Sequence, residues 1–396
     1  MTRNTDVRRA ARASAVAAAA LCSFLLFAGV GSPAAASARQ DCAGQTATIL
    51  GTEGPDVING TPGQDIIQAL DGDDTVNGLA GNDLLCGGLG NDVIHGGDGN
   101  DTVVGDSIAG FETAGKDTLY GDKGNDILAG DMVDAASNAI TGGNDVVNGG
   151  PGDDFLAGDI VGVAPGSGAV TGGDDTLKGG GGSDFLAGDD IAGSAVDDTI
   201  TGGSDLLLGG AGNDALRGDE IARGKGSDHV KGGNDKLRGG PGDDTVRGDD
   251  FDPTAGDDEG DVLLGGGDDL KGGSGNDTIE GDYLVGSSVA DRIIGGNDHL
   301  EGQTGLDTLD GDDLVGNGGI ETAILGADVL HGGADDDDLF GDVQTGFTSL
   351  GGGDDALFGE DGNDDMNCGA GTDKADGGAG NGDTATADCE GVSNVP

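Results

Sequence analysis

Aspartate recurs in this chain at intervals that composition alone has no reason to keep. From Gly51 the sequence divides every nine residues into GTEGPDVIN, GTPGQDIIQ, ALDGDDTVN, GLAGNDLLC, GGLGNDVIH and GGDGNDTVV. Asp56, Asp65, Asp74, Asp83, Asp92 and Asp101 therefore share the sixth place, and Ile58, Ile67, Val76, Leu85, Ile94 and Val103 share the eighth. Carboxylates stacked in equivalent turns repel one another unless a hard cation sits between them. Calcium suits such turns, since it accepts about six to eight oxygens in flexible geometry and finds both carboxylates and bare glycine carbonyls there. Magnesium demands a stricter octahedron and tends to retain water.

The elements that would position these carboxylates follow from the residues around them. A three-residue strand with one aliphatic at its centre points only that residue to one side, so a stack of such strands buries an aliphatic column. Glycines supply the positive φ angles and close backbone approach of a tight turn. In a parallel stack, equivalent aspartates then recur about 4.8 Å apart.

After Val104 the rhythm lengthens to a period of about 30 residues. Its anchors are GGPGDDFLA from Gly149, GGGGSDFLA from Gly179, GGAGNDALR from Gly209 and GGPGDDTVR from Gly239, with similar turns at Gly121, Gly272, Gly302, Gly332 and Gly359. Three short strands are expected per coil, joined by a GGND-type turn, a six-residue turn and a long segment opening at Gly-Asp and running about eleven residues. These variable segments should form a ladder of loops along one side. A two-sheet roll and a three-sided helix both remain open.

The sixth-place aspartates continue through Asp117, Asp126, Asp145, Asp154, Asp175, Asp184, Asp205, Asp214, Asp235, Asp244, Asp277, Asp298, Asp307, Asp328, Asp337, Asp355 and Asp364. With the six above, these are the expected ligands of multiple Ca2+ ions. Three places break the pattern and put metal there in question: Asp335 replaces a fourth-place glycine, GGGDDLK around Asp268 and Asp269 is one residue short, and Ala327 precedes Asp328.

The repeat matches GGxGxDxUx, with U a large aliphatic residue, and in this the chain resembles the RTX, or hemolysin-type, calcium-binding repeat family. The resemblance implies an all-β fold, a right-handed parallel β-roll or β-helix solenoid with calcium between adjacent turns. The residues themselves divide the chain into 1–38, read as an export signal; 39–50, an N-terminal cap; 51–104, contiguous nonapeptides; 105–367, longer coils; and 368–396, a C-terminal cap.

Composition agrees. The 396 residues include 88 Gly, 75 Asp or Glu and only 18 Lys or Arg, for a formal charge of -57. Such charge repels nucleic acid and anionic lipid and favours cations. Arg3, Arg8, Arg9 and Arg12, an apolar stretch from Ala13 to Val30, and Ala36-Ser37-Ala38 read as an export signal cleaved before Arg39. No other apolar run is long enough to span a membrane. Cys42, Cys86, Cys368 and Cys389 then remain, and an exported protein would pair them. Three pairings are open; two cysteines near each end favour Cys42 with Cys86 and Cys368 with Cys389.

No enzyme is expected. The histidines, His95, His229, His299 and His331, form no HExxH, and no GxSxG is present. Gly105-Asp106-Ser107 has the form of an esterase motif, but Gly-Asp opens every long segment. Repeats from residue 51 to about 376 leave no segment of domain size for a catalytic unit. The expectation is a secreted calcium-binding protein that folds on binding, structural or adhesive at the cell surface or in the matrix, whose loop ladder meets an extracellular protein or glycan. The competing reading is an accessory or non-catalytic remnant of a secreted toxin or hydrolase system.

Overall fold

The computed structural model describes residues 41–395 except 110–113, 136–139, 164–168, 193–198, 224–228, 254–261, 287–291, 317–321 and 346–350. The expected export signal and the middle parts of the expected loop ladder lie outside the described residues. Among the described residues the chain is all-β, and no helix is long and apolar enough to cross a membrane.

The strands stack in parallel into two 14-stranded sheets and one 7-stranded sheet, the β-solenoid that the repeat implies. The first sheet runs from Val57–Asn59 to Gly391–Ser393, the second from Ile49–Leu50 to Thr384–Ala385, and the third from Ile140–Thr141 to Thr322–Ile324. The strand His229–Lys231 shows the logic, with Val230 buried between an exposed His229 and Lys231.

Both coil types left open by the sequence are present. Successive equivalent aspartates lie 18 residues apart near the N-terminal end, where two sheets make the coil. The separation grows to 25, 28, 30 and 33 residues where the third sheet enters, falls to 27, and returns to 18 near the C-terminal end.

The long segments depart from expectation at their start. Gly-Asp does not open a loop: it lies inside second-sheet strands such as Ala215–Arg223 and Thr245–Pro253, which continue past it. The continuation has a physical reason. A second apolar column, including Ile108, Ile191, Ile221, Phe251 and Leu284, packs against third-sheet residues such as Ile200, Val230 and Leu263. The main column, from Ile67 to Ala375, fills the space between the first two sheets.

Both favoured disulfides form. Cys368–Cys389 joins the end of the main column, as expected of a terminal staple. Cys42–Cys86 does something else: with Leu84 and Val104 it makes a small separate cluster that ties the antiparallel hairpin Asp41–Cys42 and Gln45–Thr46 to the second sheet. It does not cover the first strand edge, where Leu50 and Val57 are exposed. Phe155 and Phe185 stack across neighbouring coils at 5.1 Å and add packing between them.

Candidate metal centre

Every sixth-place aspartate singled out in the sequence falls on one of two ladders. In the first, the backbone N–H of each aspartate donates to Oδ1 of its equivalent one coil on: Asp56 to Asp74, Asp74 to Asp92, Asp92 to Asp117, and onward through Asp145, Asp175, Asp205 and Asp235. It continues through Asp298, Asp328 and Asp355. The second runs from Asp65 through Asp83, Asp101, Asp126, Asp154, Asp184, Asp214, Asp244, Asp277, Asp307 and Asp337 to Asp364. Each bond caps the strand that follows the aspartate and fixes the carboxylate's direction.

One oxygen of each carboxylate is thereby used and the other is not. From Asp74 to Asp364, Oδ2 of these aspartates is buried without a hydrogen-bond partner. A buried unsatisfied carboxylate oxygen costs more than about 1–3 kcal/mol, so a stack of them asks for a cation. Asp56 and Asp65 differ: their Oδ2 atoms accept from the backbone N–H and hydroxyl of Thr52 and Thr61, so the first coil offers no free oxygen of this kind.

The departures from the motif do not break the ladders. Asp268 takes its place between Asp235 and Asp298, because GGGD is a full GGND-type turn and not a shortened six-residue one. Asp335 adopts the positive φ, 86°, of the glycine that it replaces. Asp328 keeps register behind Ala327. The ladders also extend into the degraded C-terminal pattern through Asp373 and Asp383, which the sequence reading passed over.

A third set of aspartates was missed altogether. Asp106, Asp131, Asp159, Asp189, Asp219, Asp249, Asp282, Asp312 and Asp342, the Gly-Asp residues, pair in register along the second sheet. Each accepts at Oδ2 from a glycine of the following GGND-type turn, as from Gly203 to Asp189 and Gly233 to Asp219. Oδ1 has no hydrogen-bond partner. The third set faces the first ladder. Carboxylate oxygens of Asp92, Asp106 and Asp117 lie within 4.8 Å of one another, as do those of Asp117, Asp131 and Asp145, and of Asp189, Asp205 and Asp219. A sequence signal for these residues existed: a large apolar residue stands two places after the aspartate, as in Ile191 after Asp189, Ile221 after Asp219 and Phe251 after Asp249.

Glycine is required where these carboxylates pass closest. A Cβ at Gly202 would sit 1.6 Å from Asp219 Oδ2, and one at Gly218 would sit 1.9 Å from Asp235 Oδ2. The electrostatics follow from the crowding. Burial pushes Asp126 up to about 7 and Asp154 up to about 6 in the second ladder. Where the first ladder meets the third, burial and then the neighbouring carboxylates Asp106 and Asp145 push Asp117 up to about 10. Asp189, Asp205 and Asp249 are raised well above the usual carboxylate range, by burial first and by neighbouring aspartates second. Burial and mutual repulsion disfavour the charged forms of these groups, and a divalent cation relieves the same repulsion.

The family model for the RTX calcium-binding nonapeptide repeat matches residues 50–85, 87–107, 113–132, 141–160, 170–190, 187–216, 224–255, 264–293, 293–313 and 325–346, more than half of the chain. No curated protein sequence matches it.

Proposed function

Because the chain belongs to the RTX calcium-binding nonapeptide-repeat family, we propose that it is a secreted, non-catalytic calcium-binding solenoid, structural or adhesive at the cell surface or in the extracellular matrix. Repeats of this family bind Ca2+, and the aspartate groups suit several ions. The ligands proposed are the sixth-place aspartates from Asp74 to Asp364, and the observation that carries this is their row of buried, unpartnered Oδ2 atoms. Bound Ca2+ supplies the positive charge that lets stacked carboxylates stay ionised. The chain's own part is to aim one oxygen by a backbone hydrogen bond and leave the other free. Two disulfides support an extracellular setting.

Folding and binding are then one event, since a chain of charge -57 with thin apolar columns cannot collapse until that charge is offset. Circular dichroism during a calcium titration tests this, with a transition at about 0.1–1 mM expected. A chain already β-rich at neutral pH in excess chelator would sink the reading.

A further inference from the structure

We propose that the Gly-Asp aspartates from Asp106 to Asp342 form, with the first ladder facing them, an interior file of divalent-cation sites, one ion per coil and distinct from the turn sites of the Asp65–Asp364 ladder. The inference rests on the calcium reading above and adds a second class of site to it.

Three observations carry it. Asp189, Asp219 and Asp249 are fully buried, Oδ1 of each is unpartnered, and a carboxylate oxygen of each lies within 4.8 Å of its trio partners. The trios repeat coil by coil, as Asp159, Asp175 and Asp189 pass to Asp189, Asp205 and Asp219. Each trio shares an aspartate with the next, so every coil adds one carboxylate from each ladder. Two negative charges per coil are balanced by one divalent cation.

The surroundings set the character of the site. The file runs between the two apolar columns, with Leu216 and Val246 in one and Ile221 and Phe251 in the other. In the GGND-type turn that closes it both glycines are buried, whereas the six-residue turn of the other ladder exposes Lys123 and Asn125. An ion held here keeps little water, which favours calcium over magnesium. Because the third sheet forms one wall, its docking accompanies filling of the file.

The test compares the full chain with Asp189→Asn, Asp219→Asn, Asp249→Asn and, as control, Asp184→Asn, Asp214→Asn, Asp244→Asn. Equilibrium dialysis counts bound Ca2+, and Tb3+ luminescence lifetimes in H2O and D2O count the water on each ion. The interior variant should bind about three to four fewer ions, all of them from the water-poor class, which the control keeps at its wild-type size. An unchanged count with the water-poor class intact overturns the interior file alone. Should the interior variant fail to fold, the wild-type lifetimes decide: a water-poor class supports the file, and a single class retaining water overturns it. A wild-type chain that binds no Ca2+ overturns the calcium reading beneath it.

Discussion

The backbone N–H of Asp205 donates to Oδ1 of Asp235, 2.8 Å away and 30 residues further along the chain, while Oδ2 of Asp235 is buried without a partner. One side chain thus has two separable tasks, capping the preceding coil and offering an oxygen to a cation. Asp235→Asn keeps a carbonyl oxygen for the cap but loses the charge; Asp235→Ala loses both. Both variants should need more calcium to fold, and the alanine variant should cost a further ~1–3 kcal/mol for the uncapped N–H. Equal calcium midpoints for the two would show that the cap contributes nothing.

Glycine positions separate crowding from turn propensity. Gly202→Ala places a Cβ 1.6 Å from Asp219 Oδ2 and should destabilise the folded chain by about 3 kcal/mol or more. Gly181→Ala meets nothing within 4 Å and should change stability by less than about 1 kcal/mol. Urea unfolding in saturating calcium measures both.

The pH dependence has opposite signs with and without metal. Asp126 and Asp154 titrate near about 7 and about 6 in the fold, above the ordinary 3.8, because burial disfavours their charged forms. The folded chain therefore binds more protons than the unfolded chain between about pH 4 and 7, and metal-free stability is greatest below about pH 4 and falls as pH rises through that window. In chelator, the β-sheet dichroism should be stronger at about pH 4 than at about pH 7.5. With calcium present, protons compete for the same oxygens, so the calcium midpoint should rise on acidification.

The two disulfides should differ in weight. Cys42–Cys86 closes a separation of 44 residues and Cys368–Cys389 one of 21. Loop-closure entropy assigns them about 4 and about 3 kcal/mol respectively. Replacing both cysteines of either pair by serine should raise the calcium midpoint, and the C-terminal pair should additionally loosen the end of the main apolar column, seen as faster amide exchange around Met366 and Ala375.

The sixth-place aspartates and the main aliphatic column were legible in the sequence because both are local: Asp-x-aliphatic within nine residues specifies a turn and the inward face of the strand after it. The Gly-Asp aspartates carry the same local signature, but the variable segments that follow made them look like the starts of loops. Ile221 and Phe251 share an apolar column with Val230 and Leu263 across those variable segments, whose sequences carry no repeat to announce the packing.

By itself the sequence determined that turns ending in aspartate would stack in parallel over an aliphatic column and concentrate negative charge along their edges. Only the tertiary structure decided where the coil takes a third sheet, that Cys42–Cys86 holds a hairpin to a sheet face, and that one aspartate ladder meets another between two apolar columns. The reason is physical: the turn and strand depend on neighbours within one repeat, whereas the meeting of ladders depends on how coils of unequal length come into register.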